Sequence, residues 1–330
     1  MTTKTQPMSA EPTGVLLMAY GGPASLDEVE PYVMDVRGGR PLSPKILEEI
    51  KDRYRRVGGR SPLLEITQSQ AIAIEEALTR RGVSNRTFVG MRHWYPYIKD
   101  AVRAIADSGL DRVVAICMAP HYSNVSVGAY FSQYQAALRD LDVGFKTVYV
   151  NSWHDNADLI QAFADRVTEA LALFSPAERR GLVAVFTAHS LPLPRLTPDD
   201  PYDGQQRETA ALVAKRARLE NWSFAYQSQG YSQEPWLGPR VEEKLRELAG
   251  AGVPAVLIIP TGFVCDHIEV LYDVDIAFRE LAQSLGIHLE RTRSLNDDPL
   301  FIKAVAGTIR LALSASVFAQ LNEKDKESAT

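Results

Sequence analysis

Sulfur is scarce in this chain. Cys117 and Cys265 are the only cysteines among 330 residues, and they stand far apart. Two such residues build neither a disulfide framework nor a sulfur-ligated cluster, which takes about four ligands. No iron–sulfur cluster is therefore expected, and a reducing cytoplasm fits best. A surplus of positive charge is missing too. The chain has 36 Lys and Arg against 41 Asp and Glu, a net charge of −5, whereas a nucleic-acid protein usually carries a basic face. Nor is there a long uninterrupted apolar run. The best candidate, FIKAVAGTIRLALSASVFAQL, contains Lys303 and Arg310, and charges inside a membrane span are expensive. It reads as an amphipathic helix over 299–322 that covers a core, followed by a polar tail at 323–330. The N-terminal MTTKTQPMSAEPTG is polar and lacks the apolar centre of a signal peptide. Residues 1–13 read as a disordered lead-in. Four familiar motifs are absent: G-x-G-x-x-G after a strand, the P-loop, H-E-x-x-H and G-x-S-x-G. That leaves nucleotide-binding, zinc-protease and hydrolase readings unsupported.

What is present is a regular alternation. Hydrophobic residues make up 45%, enough for two cores, and the length favours two domains. Short apolar runs recur at 14–20, 86–91, 112–118 and 146–150, then at 182–187, 223–227, 255–260 and 287–292. They do not alternate polar with apolar, the mark of parallel strands buried on both faces. Helical patterns such as PKILEEIKDRYRRV and AIAIEEALTRR lie between them. Strand, helix, strand in succession means an α/β fold with parallel sheets. Four strands precede residue 151 and four follow, so the expected organisation is two similar halves, 14–150 and 151–298. The last helix is expected to cross back onto the first half.

In open α/β sheets, ligands bind beyond the carboxyl ends of the strands. The residues that follow the runs are Tyr20-Gly21-Gly22-Pro23, Arg92-His93-Trp94, Pro120-His121-Tyr122-Ser123, Ala188-His189-Ser190 and Cys265-Asp266-His267-Ile268-Glu269. His189 sits between a buried strand and a Pro-stiffened turn. A neutral imidazole there takes a proton, binds a borderline metal, or merely anchors its loop. Asp266 and Glu269 have the spacing of an N-cap and its capping-box partner. Glu269 and Asp273, four apart, share one face of a helix, as a proton path, a cation site or a solvated acidic stripe. Ala277 ends that stripe. Arg37, Arg40, Arg53, Tyr54 and Ser61 form a basic, hydroxyl-rich group near Gly-Gly turns. Arginines so placed grip carboxylates with two hydrogen bonds.

The stretches GVLLMAYGGPASLDEVEPY, RYRRVGGRSPLLEIT, GMRHWYPYIKDAV, MAPHYSNVSVGAY, TAHSLP, DDPY, YQSQGYSQEPWLGP, PTGFVCDHIEVLYDVDI and NDDPLFI run in order from about residue 14 to 302. Together they resemble the ferrochelatase family. The resemblance implies two Rossmann-like domains, each a four-stranded parallel sheet flanked by helices, with a porphyrin cleft between or beside them. It implies insertion of ferrous iron, a substrate rather than a resident cofactor. His189 and Glu269 match the family's metal-facing residues, and Asp273 is expected to relay protons. Tyrosine after the first strand is similar to the Gram-positive-type branch that uses coproporphyrin III. Tyr20 would then be an axial ligand of the inserted iron, with Arg37, Arg53, Tyr54, Ser61 and Tyr130 at the propionates. A protoporphyrin IX ferrochelatase and a porphyrin carrier are the alternatives. The resemblance further implies a cytoplasmic monomer, handing its product to a coprohaem decarboxylase. Ala277 and Gly38 depart from the family where many members have a third acid and some a second arginine.

Overall fold

The computed structural model describes residues 12–230 and 232–327. Strand β1 (Thr13–Ala19) is buried along its whole length, as its sequence TGVLLMA requires. It pairs in parallel with β2 (Asn85–Met91) on one side and β3 (Arg112–Cys117) on the other. β4 (Lys146–Val150) extends the sheet, giving the order β2-β1-β3-β4. The helices of this half are α1 (Val29–Val36), α2 (Pro44–Arg56), α3 (Leu63–Thr79), α4 (Ile98–Asp107) and α5 (Val127–Leu141). After α6 (Ala157–Leu171) and α7 (Pro176–Gly181), the pattern repeats. β5 (Val183–His189), β6 (Trp222–Gln227), β7 (Ala255–Ile259) and β8 (His288–Arg291) form a second parallel sheet in the order β6-β5-β7-β8. The helices here are α8 (Tyr202–Ala217), α9 (Val241–Gly250), α10 (Ile268–Leu271) and α11 (Arg279–Ser284), and α12 (Pro299–Glu327) closes the chain. The expected α/β architecture of two four-stranded parallel sheets flanked by helices is what the chain adopts. Each expected strand is found within two residues of its expected ends. β5 runs furthest past expectation, because Ala188 and His189 stay in register with Tyr226 and Gln227.

The identical winding places two equivalent crevices. In each sheet the chain leaves the first strand towards one edge, then returns to its other side. Loops diverge at that switch point, where ligands bind. Tyr20 follows β1, His189 ends β5, and the segment after β7 carries Glu269.

One apolar cluster joins the halves. It takes in Leu17 and Ile116, Phe163 of α6, Phe186 and Leu257, and Phe301, Val305 and Ile309 of α12. α12 packs on α3, α6 and β4. Phe301 is fully buried, and burying such a side chain is worth about 1.5–3 kcal/mol. The helix continues to Glu327, beyond the expected end at 322. Nothing in NEKDKE is a helix breaker, so charge alone does not stop it. The remaining tail, 328–330, lies outside the described residues, as does the lead-in up to 11, and Thr13 already belongs to β1. Among the described residues, no helix is long and apolar enough to cross a membrane.

Candidate active site

The second half supplies an imidazole and two carboxylates. The carbonyl of His189 accepts a 2.9 Å hydrogen bond from the Tyr202 hydroxyl. Its Nδ1 bonds the Ser190 carbonyl, which can only accept, so Nδ1 carries a proton. Nε2 then faces Glu269 Oε1 at 3.4 Å, with 33% and 30% of the two side chains open. Gly262 makes this approach possible. A Cβ there would lie 2.6 Å from the Ala188 Cα, so only glycine lets the loop after β7 run against β5 and bring Glu269 to His189.

The start of α10 differs from the expected capping box. His267 is the N-cap, its Nδ1 accepting from the Glu269 amide at 3.2 Å. Asp266 is drawn away by Ser294 at 2.7 Å, Asn296 at 2.9 Å and Arg291 at 3.2 Å. Three donors, one ending β8 and two from the segment after it, outcompete one helix terminus. Glu269 is therefore free of capping duty. The expected regular acidic stripe is also interrupted, because α10 ends at Leu271 and residues Asp273–Phe278 form a π-helical turn. Such turns are rare and recur at functional sites. Asp275 leaves the site, paired with Arg291 at 2.6 Å. Asp273 instead accepts from the Ser228 hydroxyl at 2.5 Å.

Charge grades the three groups. Burial opposes a proton on His189, but the charge and hydrogen bond of Glu269 outweigh it and hold the imidazole up to about 9. Burial likewise pushes Glu269 up, yet His189 keeps it below the usual carboxylate range. Asp273 is raised to about 6, chiefly by burial, while the Ser228 hydroxyl pulls the other way.

The first half supplies phenols and cations. Gly21, at φ +96°, lets Tyr20 pass beneath the segment after β2, since a Cβ would lie 1.8 Å from the His93 carbonyl. Tyr20 is 41% exposed and its ring lies 4.9 Å from that of His93. Asp35 braces this wall, 2.8 Å from His93 Nδ1 and 3.0 Å from the Tyr97 hydroxyl that donates to it. Partial burial and the negative charge of Glu269 push the Tyr20 phenol up to about 12, with Arg92 pulling it down. The charge of Glu269 also raises Tyr32 and Tyr54, behind burial itself. Tyr20, Tyr32 and Tyr54 of the first half thus lie within the field of Glu269.

The remaining expected residues are dispersed. Arg53 reaches the second half, 5.2 Å over the Tyr272 ring, and Arg56 covers the same ring at 5.5 Å and bonds Glu280. Ser61 Oγ accepts from the Leu63 amide at 3.3 Å, just ahead of α3, and lies against Gly22, where a Cβ would be 2.6 Å from it. Tyr54 and Tyr130 are buried, and the Arg92 guanidinium sits 5.4 Å over the Tyr130 ring. Arg37 stands at the exposed end of α1, where it and Arg40 bond each other's carbonyls at 3.0 Å. Sequence reasoning passed over Gln227, Ser228 and Tyr202. The first two directly follow or end β6, so the rule about strand ends was signal enough.

Imidazole and carboxylate together suit a borderline divalent metal. Among the described residues no group of three or more His, Cys, Asp or Glu gathers, so the pair itself offers two donors. A His–carboxylate pair at the strand ends of two such parallel sheets is a site suited to taking up a divalent metal. The fold matches the sirohydrochlorin chelatase of Bacillus subtilis subspecies spizizenii, solved in complex with cobalt. The TM-score is 0.54 at 10% identity, over 92% of this chain and 95% of that one. The chain belongs to the ferrochelatase family, whose model matches residues 12–313. It is 45% identical over 311 residues to the ferrochelatase of Deinococcus radiodurans, covering 94% of this chain and 98% of the relative. It is 37% identical over 306 residues to the coproporphyrin III ferrochelatase of Geobacillus kaustophilus, covering 92% and 96%.

Proposed function

We propose that this ferrochelatase inserts ferrous iron into coproporphyrin III, with His189 and Glu269 on the metal-entry wall and Tyr20 on the opposite one. The observation that carries this reading is the His189–Glu269 pair at 3.4 Å, with about a third of each side chain open; the charge of Glu269 also acts on the Tyr20 phenol. Insertion releases two pyrrole protons for each iron taken up. Iron displaces the proton shared by His189 and Glu269 to solvent; as the iron passes into the ring, the Glu269 carboxylate accepts one pyrrole proton and the freed His189 Nε2 the other. Asp273, with a proton affinity between those of Glu269 and His189, passes them outward. Once the ring is metallated, Tyr20 is the axial ligand, and its high proton affinity keeps it neutral until the metal is in place. Arg53, Arg37, Tyr54, Ser61 and Tyr130 serve the propionates. In this reading the enzyme is a cytoplasmic monomer with no resident cofactor, and a coprohaem decarboxylase consumes its product.

Support for coproporphyrin III comes from the tyrosine after β1 and from relatives of that name at 36–38% identity. The relative at 45% is named only as a ferrochelatase, which makes protoporphyrin IX the second reading. Initial rates of anaerobic iron insertion decide between them. A kcat/KM for coproporphyrin III about tenfold or more above that for protoporphyrin IX, or about 1.4 kcal/mol, is the expected result. Equal or reversed preference contradicts the coproporphyrin assignment, and unchanged porphyrin absorption bands with both would point to a carrier.

A further inference from the structure

The carboxyl end of β6 holds a hydrogen-bond chain whose polarity is fixed throughout. Gln227 is buried, and its Oε1 accepts from the Thr187 hydroxyl at 2.7 Å. The Glu269 carbonyl can only accept, which sets the amide's orientation, with Nε2 donating to it at 2.7 Å and to Ser228 Oγ at 3.4 Å. Ser228 Oγ, already accepting, gives its own proton to Asp273 Oδ2 at 2.5 Å. One strand end therefore ties both acid-bearing residues of the site, Glu269 through its backbone and Asp273 through its carboxylate.

Ser228 is also one of few non-glycine residues with positive φ, at +61°. A serine reaches that left-handed region only at an energetic cost, and glycine reaches it at none. If residue 228 served only the turn, glycine would be the better choice. Such strain persists where the surrounding structure exploits it, and here it aims the hydroxyl at Asp273.

We infer that Ser228 is a positioning residue for metal insertion, holding one oxygen of Asp273 so that the other stays available to the Glu269 side. This rests on the reading that Asp273 moves protons. Gln227 serves the same end by fixing the direction of the Ser228 hydroxyl.

The test is a variant set assayed for steady-state iron insertion and thermal melting. Ser228→Gly relieves the strain and removes the hydroxyl. It is expected to melt at or above the wild-type temperature, with porphyrin KM unchanged and kcat lowered roughly 10²-fold, the usual effect of a misplaced catalytic group. Ser228→Thr keeps the hydroxyl and adds a β-branch that the backbone disfavours. It is expected to melt lower yet retain kcat within about threefold, because the donor to Asp273 survives. A Ser228→Gly enzyme with wild-type kcat overturns the inference, whatever happens to the threonine variant. So does one that loses melting temperature, KM and kcat together, since that is a scaffold effect. Asp273→Asn separates the two layers. If it slows turnover while Ser228→Gly does not, the inference about Ser228 fails alone, and if Asp273→Asn leaves turnover intact, the relay reading itself fails.

Discussion

His189→Ala is expected to lower kcat/KM for iron insertion by on the order of 10²–10⁴-fold, the range for removing a positioned acid–base group. The fold should survive it. The imidazole bonds only the Ser190 carbonyl and Glu269, and a third of it is open. Losing such bonds typically costs about 0.5–1.5 kcal/mol. The β5 ladder is untouched, because His189 enters it through its backbone, in register with Gln227. A loop anchor would give the opposite pattern, a lowered melting temperature with nearly normal turnover. Continuous absorbance of the porphyrin under anaerobic conditions, paired with thermal melting, reads both quantities.

Glu269→Gln is the second large effect, and its signature includes pH. Turnover is expected to fall on a scale similar to His189→Ala, again within the general acid–base range. The helix cap should remain, because His267, not the Glu269 side chain, supplies it. A lost cap would cost about 1 kcal/mol at any pH, so an unchanged melting temperature above about pH 9, where the His189 charge no longer contributes, separates the roles. The imidazolium of His189 contributes stability that is fully present below its ordinary 6.5 and fades as pH rises through about 9. Glu269, held below the usual range by that imidazolium, is ionised throughout this window. Glutamine removes the attraction and leaves burial in charge, which lowers the imidazole. The NMR titration midpoint of His189 should drop from about 9 in the wild type to below the ordinary histidine value of about 6.5. A midpoint that stays high would mean that Glu269 is not the partner.

Much of this fold was legible because parallel strands buried on both faces write themselves as apolar runs. β1, β3 and β7 are buried throughout, and no periodicity had to be inferred. Strand ends pointed to His189 and Tyr20 for the same reason. The segment after β7 was harder. Asp266 and Glu269 have the spacing of a capping box, but whether Asp266 caps depends on Ser294, Asn296 and Arg291, nearly thirty residues away in the chain. The π-helical turn over Asp273–Phe278 leaves no local mark, since i and i+4 look the same before a turn widens. The conformation of Ser228 was invisible for a related reason, although its place directly after β6 was not. Positive φ is advertised by glycine or asparagine, and here a serine is held there by its tertiary bond to Asp273.

The pairing of His189 with Glu269 as the metal's landing point is open to direct observation. Crystals soaked with Zn(II), which shares the N/O ligand preference of Fe(II), and measured at the zinc edge would locate it. The expected anomalous peak lies between His189 Nε2 and the Glu269 carboxylate, about 2.0–2.2 Å from each donor. A peak at the Asp266 cluster, or on the Tyr20 wall with none between His189 and Glu269, would contradict the account.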